Sequence, residues 1–314
     1  MWFVSNHGLM AVAASESTKS VLSAIGDTPL IEIDGIWAKL EFLNPSGSVK
    51  ARLADYVVRR AEAEGLLQPG DTIVEASSGN TGNALSMVAA VKGYPMLVLL
   101  PRGVSQERAA ISRAFGAEVV EVGDFHVNAA LEAAAELGSK RGFFAPQQFE
   151  SEWNVEENRD WLGAEIVRDL AGATPDALVC GVGTGGTLIG VGIALRAANR
   201  ALKLIAVEPA ESRTIAEGVV GRHLLEGISD GFVPGIYARY AHMVDEVVAV
   251  DSAESIIEMR RLAREHGIFV GPSSGAHMLA ARRCRAEMGL QNVVTVLSDE
   301  GEKYLASHFA SSPS

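Results

Sequence analysis

Short aliphatic runs that are apolar at successive rather than alternate positions recur through this chain. Each is followed by a glycine- or serine-rich loop and then by an alanine-rich stretch with helical spacing. Leu97-Val98-Leu99-Leu100 and Val293-Val294-Thr295-Val296 are such runs. A strand that is apolar on both faces has to be covered on both, which calls for a parallel sheet with helices on either side. The pattern predicts an α/β protein built from strand–helix–strand units in two series. The first has strands over 72–75, 96–100 and 118–122, with helices over 80–92 and 106–115 that stop at Gly93 and Gly116. An acidic polar stretch over 150–160 separates it from the second. That series has strands over 177–180, 203–207, 246–250 and 292–297, a helix from Gly186 and another over 253–266. Early strands at Leu30 and Trp37 precede both. A chain of 314 residues is long enough for two domains. The two series predict a smaller domain over 51–153 and a larger one combining 1–50 with 154–314.

Composition narrows the function classes. Hydrophobic residues at 48% and charged residues at 21% give a full core, so the chain is not of the disordered class. A formal charge of −12 disfavours nucleic acid and anionic membrane surfaces, both of which need basic residues. Cys180 and Cys284 are far apart and form no C-x-x-C pair, and the seven histidines form no H-E-x-x-H. No disulfide framework or metal site is expected, and a reducing, cytoplasmic location fits. The N-terminal apolar residues are interrupted by polar ones and lack a leading basic residue, unlike a signal peptide, and Met10 is a candidate alternative start. The longest apolar runs are strand-sized, far short of a membrane span.

Four loops could carry chemistry, each between a strand and a helix, where parallel sheets open their ligand crevice. Asn44-Pro45-Ser46-Gly47-Ser48-Val49-Lys50 puts Lys50 in the first turn of a helix bearing Leu53, Ala54, Val57 and Ala61 on one face. A helix N-terminus disfavours an ammonium ion, so the same field helps keep that amine neutral and nucleophilic. Ser77-Ser78-Gly79-Asn80-Thr81-Gly82 offers hydroxyls and free backbone N–H groups to an anion, although an ordinary N-cap explains it equally well. Gly181-Val182-Gly183-Thr184-Gly185-Gly186-Thr187 lets the backbone approach a phosphate closely. It also satisfies G-x-G-x-x-G, with Glu208 ending a following strand, so a nicotinamide oxidoreductase has to be weighed. That reading leaves the other three loops without a role. Gly271-Pro272-Ser273-Ser274-Gly275 is the fourth, and either serine could simply cap its helix. The chain has no phosphate-binding G-x-x-x-x-G-K-[ST] loop and no G-x-S-x-G elbow.

Taken together and in order, these loops resemble the cysteine synthase branch of the fold type II pyridoxal phosphate enzymes, the two-domain, tryptophan synthase β-like fold with helix-covered, parallel-rich sheets. The resemblance runs from about Ile25 to Tyr304. It also takes in Gly26-Asp27-Thr28-Pro29-Leu30, Gln147-Gln148-Phe149 and Ser273-Ser274-Gly275. It implies pyridoxal 5'-phosphate as cofactor, with Lys50 joined to its aldehyde and later acting as general base. Gly183, Thr184, Gly185, Gly186 and Thr187 would hold its phosphate, Asn80 would meet the ring hydroxyl and Ser273 would face the ring nitrogen. Ser77, Ser78, Gly79, Thr81 and Gln148 would grip the substrate carboxylate. The implied reaction makes L-cysteine from an activated serine, acetylserine above all, by adding a sulfur nucleophile to an aminoacrylate. A soluble cytoplasmic homodimer is implied with it.

Three positions depart from the family pattern. Ala51 stands where aspartate is common and Ser77 where threonine is usual, while Glu226 replaces the glutamine of typical sulfhydrylases. Glutamate at that position resembles cystathionine β-synthases, which condense serine with homocysteine. Glu226 is therefore expected to bear on the second substrate. Together with Asp230 it should repel a phosphorylated serine. A non-catalytic binding scaffold is the remaining alternative, and Lys50 argues against it.

Overall fold

The computed structural model describes residues 20–77, 79–102, 106–123 and 127–309. The expectations about the first residues, Met10 included, and about Ser78 lie outside them. Among the described residues the strands form two separate sheets. They are β1 (Leu30–Ile33), β2 (Ile36–Leu40), β3 (Thr72–Ala76), β4 (Met96–Pro101), β5 (Glu118–Val122), β6 (Phe143–Phe144), β7 (Ala177–Gly181), β8 (Lys203–Pro209), β9 (Glu246–Val250) and β10 (Val293–Leu297). The larger sheet runs β1-β2-β10-β7-β8-β9 and the smaller β5-β4-β3-β6. Only the β1/β2 pair is antiparallel; the other pairs in both sheets are parallel.

The helices are α1 (Lys50–Ala63), α2 (Asn80–Lys92), α3 (Gln106–Ala114), α4 (Asn128–Gly138), α5 (Glu152–Glu157), α6 (Ala164–Asp169), α7 (Gly186–Ala198), α8 (Thr214–Glu217), α9 (Gly235–Tyr240), α10 (Ser252–His266) and α11 (Pro272–Met288). They cover both faces of the larger sheet, as its doubly apolar strands require. Ala177, Val179, Ile205 and Val293 pack with Ala276, Ala280 and Ala281 of α11 on one side. The alternate residues Leu178, Cys180, Leu204 and Val294 pack with Leu188, Val191 and Leu195 of α7 on the other. In the smaller sheet Ile73, Met96 and Val98 meet α1 and α2, while Val74, Ala76 and Leu99 meet Ala130 and Ala134 of α4.

Two segments differ from the sequence reading. The alanine-rich run over 128–138, outside both predicted series, forms α4, in keeping with its helix-favouring composition. The polar, acidic stretch over 150–160 folds as α5 and continues into a π-helical turn over Asn158–Gly163. Ser151 caps α5 and Glu152 complements its N-terminal dipole, while Asn154, Val155, Glu157 and Asn158 are buried. The segment is a packed layer rather than a linker.

Candidate active site

All four loops open onto one cleft with its mouth open to solvent. Its lining includes Lys50, Ser77, Gly79, Asn80, Thr81, Gln148, Gly183, Thr184, Gly185, Thr187 and Ser273. Of the residues expected at the site, Gly186 and Glu226 do not line it.

Lys50 is the first residue of α1, where no acidic side chain offsets its charge and Val49 provides no side-chain cap. Burial pushes its amine below the ordinary lysine range, against the pull of Glu157, Cys180, Asp230 and Asp299. The amine is thereby biased toward the neutral, nucleophilic form.

The glycine loop between β7 and α7 has the shape of an anion cradle. A side chain at Gly183 would run into the carbonyl oxygen of Gly227 at 2.5 Å, and Gly185 has φ +89°, which favours glycine. Thr184 Oγ1 accepts the Gly186 N–H at 3.2 Å and that of Asn154 Nδ2 at 3.0 Å. The same Asn154 amide donates to the Gln148 carbonyl at 2.8 Å and so ties the phosphate-type loop to the carboxylate-type loop. Gly186 itself packs against the Asn154 side chain, which explains its place outside the lining.

In the second loop Ser77 Oγ accepts the N–H groups of Gly79 at 3.1 Å and Gly82 at 2.9 Å. Thr81 Oγ1 donates to Gln148 Oε1 at 2.6 Å, and Gln148 Nε2 donates to the Ala76 carbonyl at 3.1 Å. Asn80 is held from the opposite side, donating to Asp299 Oδ2 at 2.7 Å and accepting from Lys303 Nζ at 3.0 Å. Ser273 sits in the first turn of α11, buried at the cleft wall.

Several contributors escaped the sequence reading. Arg108 of α3 lines the cleft with its guanidinium 5.1 Å from the Tyr304 ring centre. Tyr304 donates to Asp299 Oδ2 at 2.6 Å. His277 accepts the Gly181 N–H at 2.8 Å and meets the Val296 carbonyl at 2.7 Å through Nδ1. Burial pushes it below the usual histidine range, so it braces the glycine loop as a neutral ring. Cys180 lines the cleft, but burial pushes its thiol up to about 12 and leaves it unreactive. Glu226 stands at the rim, 3.2 Å from His308 and 3.9 Å from Arg108. Burial works to raise its pKa, yet these two neighbours hold it below the ordinary range.

The geometry also bears on the dinucleotide alternative. Glu208, which would have to reach a ribose, is spent inside the fold: Oε2 accepts the Ile215 N–H at 2.9 Å in the first turn of α8. A basic amine, a glycine cradle at a helix N-terminus and a hydroxyl-lined anion loop instead suit a phosphorylated aldehyde cofactor beside an amino acid.

Comparison with known proteins agrees. Residues 21–299 match the family described as pyridoxal-phosphate dependent enzyme, and the chain belongs to that family. It is 39% identical over 304 residues to a cysteine synthase of Staphylococcus aureus, covering 94% of this chain and 97% of the relative. It is 40% identical over 298 residues to an O-ureido-L-serine synthase of Streptomyces lavendulae, covering 92% and 91%. The crystal structure of cysteine synthase from Entamoeba histolytica superposes with a TM-score of 0.87 at 31% identity, covering 98% of this chain and 96% of that one. The α/β fold is that of the fold type II enzymes, and the protein is pyridoxal phosphate-dependent.

Proposed function

We propose that this pyridoxal phosphate-dependent enzyme makes L-cysteine by β-replacement, exchanging the leaving group of an activated serine for sulfide. The observation that carries the reading is the convergence of Lys50, the glycine cradle and the carboxylate-type loop on one cleft. Bound pyridoxal phosphate supplies an electron sink for the charge that develops at the substrate α-carbon. Lys50 Nζ would hold the cofactor, and as a free amine it would take the α-proton. Gly183, Thr184, Gly185 and Thr187 would hold the phosphate through backbone N–H groups and hydroxyls, with Gly186 bracing the loop from behind, and Asn80 would hold the ring hydroxyl. Ser273 would offer the ring nitrogen a neutral hydroxyl, which would keep the sink mild and suit loss of a good leaving group. Ser77, Ser78, Gly79, Thr81 and Gln148 bind the α-carboxylate. The division at about residues 51 and 153 lets the smaller sheet carry that loop toward the cofactor.

Glu226 favours a second reading in which homocysteine replaces sulfide, because a carboxylate at the rim can meet the incoming ammonium group. Arg108, close to Glu226, offsets part of the repulsion that Glu226 would exert on a phosphorylated donor, and burial pushes Asp230 toward its neutral form. Acetylserine remains the donor that makes no demand on either charge. A cytoplasmic homodimer completes the proposal, supported by the exposed Val219, Val220 and Leu224 on one segment and by two buried, unpaired cysteines. Sedimentation of the purified protein tests the dimer.

The decisive experiment has two parts. Purified protein should be yellow, and borohydride should fix the cofactor on Lys50; colourless protein that takes up no cofactor would end the proposal. Acetylserine, serine and phosphoserine are then assayed as donors with sulfide or homocysteine as acceptor, for the wild type and Glu226→Gln. Cysteine from acetylserine and sulfide is the expected main product, with Glu226→Gln lowering the homocysteine rate relative to the sulfide rate.

A further inference from the structure

Asn154 is wholly buried in α5, which packs against the glycine-loop helix α7, and the proposed chemistry gives it no role. Its amide is fixed by what surrounds it. The Gln148 carbonyl at 2.8 Å can only accept, so the amide atom facing it is Nδ2 and not Oδ1. Nδ2 also donates to Thr184 Oγ1 at 3.0 Å. Oδ1 accepts from Asn158 Nδ2 at 3.1 Å, and that nitrogen is anchored on the Asn154 carbonyl at 2.8 Å. A side chain at position 186 would collide with the Asn154 amide, so Gly186 is what admits it.

This arrangement leaves Thr184 a single role. A hydroxyl has two lone pairs and one hydrogen. Both lone pairs of Thr184 Oγ1 are taken, one by Asn154 Nδ2 and the other by the Gly186 N–H at 3.2 Å. Among the described residues these are the hydrogen bonds of that oxygen, and Thr184 lines the cleft. Its hydrogen is therefore left for an acceptor in the cleft. Ser77 Oγ in the neighbouring loop is fixed in the same way, but by two backbone N–H groups. At Thr184 one of the two donors is a side chain from another element, so the device can be removed by substitution.

We propose that Asn154 is a positioning residue: by filling one lone pair of Thr184 it obliges that hydroxyl to donate into the cleft, and so favours the phosphate of the cofactor over a neutral group in the same place. Ionised phosphate oxygens accept hydrogen bonds, and a hydroxyl already held as a donor has no rotational freedom to lose when they arrive. The inference deepens the proposed function and rests on it, because it takes the glycine loop as the phosphate site.

The test compares two probes on the full chain freed of cofactor. One is pyridoxal 5'-phosphate; the other is pyridoxal, which has the same ring and aldehyde but no phosphate. Visible absorbance gives the dissociation constant of each, and borohydride with mass spectrometry locates the site of capture. Asn154→Asp keeps the size of the side chain but turns its donor into an acceptor, which draws the Thr184 hydrogen away from the cleft. The dissociation constant for pyridoxal 5'-phosphate should rise about ten- to hundredfold, as for loss of one hydrogen bond to a charged group, while that for pyridoxal stays within about twofold. In a Thr184→Val background the same substitution should no longer change the ratio of the two constants. A change that persists there would be plain charge repulsion and would overturn the inference. Asn154→Ala frees the lone pair without adding charge and should lower the preference for the phosphorylated probe about fivefold. If neither Asn154 variant folds, the residue serves the fold and the inference is lost. A preference unchanged in both variants, with the cofactor on Lys50, overturns this inference alone. Wild type that captures the cofactor elsewhere than on Lys50, or binds pyridoxal as tightly as its phosphate, overturns the proposed function as well.

Discussion

At the scale of single residues, position and burial decide which groups can act. Lys50 occupies a helix start that does not welcome its charge, and no cap or acidic neighbour in its first turn compensates. Lys50→Ala should therefore fold, with thermal stability within about 1 kcal/mol of the cofactor-free wild type, while capturing no cofactor and forming no cysteine. Thermal unfolding and absorbance check the two halves separately; loss of the fold would make the lysine structural. Glu75 presents the opposite case, a residue whose ionisation costs stability. It lies buried at the end of β3 with one oxygen unpartnered, and burial raises it to about 8 from 4.5. An acid raised in the folded state stabilises most fully below its unfolded pKa, and that contribution is lost as pH rises toward about 8. The wild type should accordingly lose up to about 5 kcal/mol relative to Glu75→Gln over this window. Denaturant unfolding at both ends of the window measures the difference, and parallel pH dependences in the two proteins would contradict it.

At the scale of elements, the sequence was legible wherever hydrophobic period and loop chemistry agreed. The early and central strands, α2, α7 and α10 follow from runs bounded by glycine, and the start of α1 at Lys50 follows from its loop. What escaped depends on partners distant in sequence. The acidic stretch over 150–160 reads as polar, but Asn154 and Glu157 on α5 are covered by α1 and α7. Arg52 shows the same effect more strongly. It resembles a solvated helix residue in sequence, yet it is fully buried and forms a two-pronged pair with Glu41 and another with Glu165, binding α1 to the larger sheet's side of the molecule. Burial works to raise Glu165, but Arg52 and Lys39 hold it down at about 2. Its contribution is thus present above its ordinary 4.5 and lost as pH falls toward about 2. Arg52→Met would strand two buried carboxylates and should cost about 3–5 kcal/mol, read as a lowered denaturant midpoint. Because α1 begins at Lys50, cofactor affinity should fall with it. An unchanged midpoint would mean that the carboxylates find water or another cation.

At the scale of the whole molecule, the order of the loops announces the cleft, but not the side chains that close it. Arg108, Asp299, Lys303 and Tyr304 carry no motif of their own, and they meet only because α3 of the smaller sheet unit faces the segment after β10. Asn80 is the joint between these two parts. It belongs to α2 beside the smaller sheet, and its amide is bonded to Asp299 at 2.7 Å and to Lys303 at 3.0 Å on the larger body. A substrate carboxylate can pair with the N–H groups at the start of α2 only at hydrogen-bond distance. Its negative charge meets Arg108 in the cleft lining although the chain as a whole carries −12. Binding should therefore draw the loop after β3 inward and carry the smaller sheet with it. Hydrogen exchange of the holoenzyme with and without serine provides the measurement. Amides over 79–83 should slow on adding serine, and Asn80→Ala, which cuts the joint, should raise exchange over α2 in the absence of substrate. Exchange over 79–83 that serine leaves unchanged would mean that the cleft is preformed and that the smaller sheet does not move to bind.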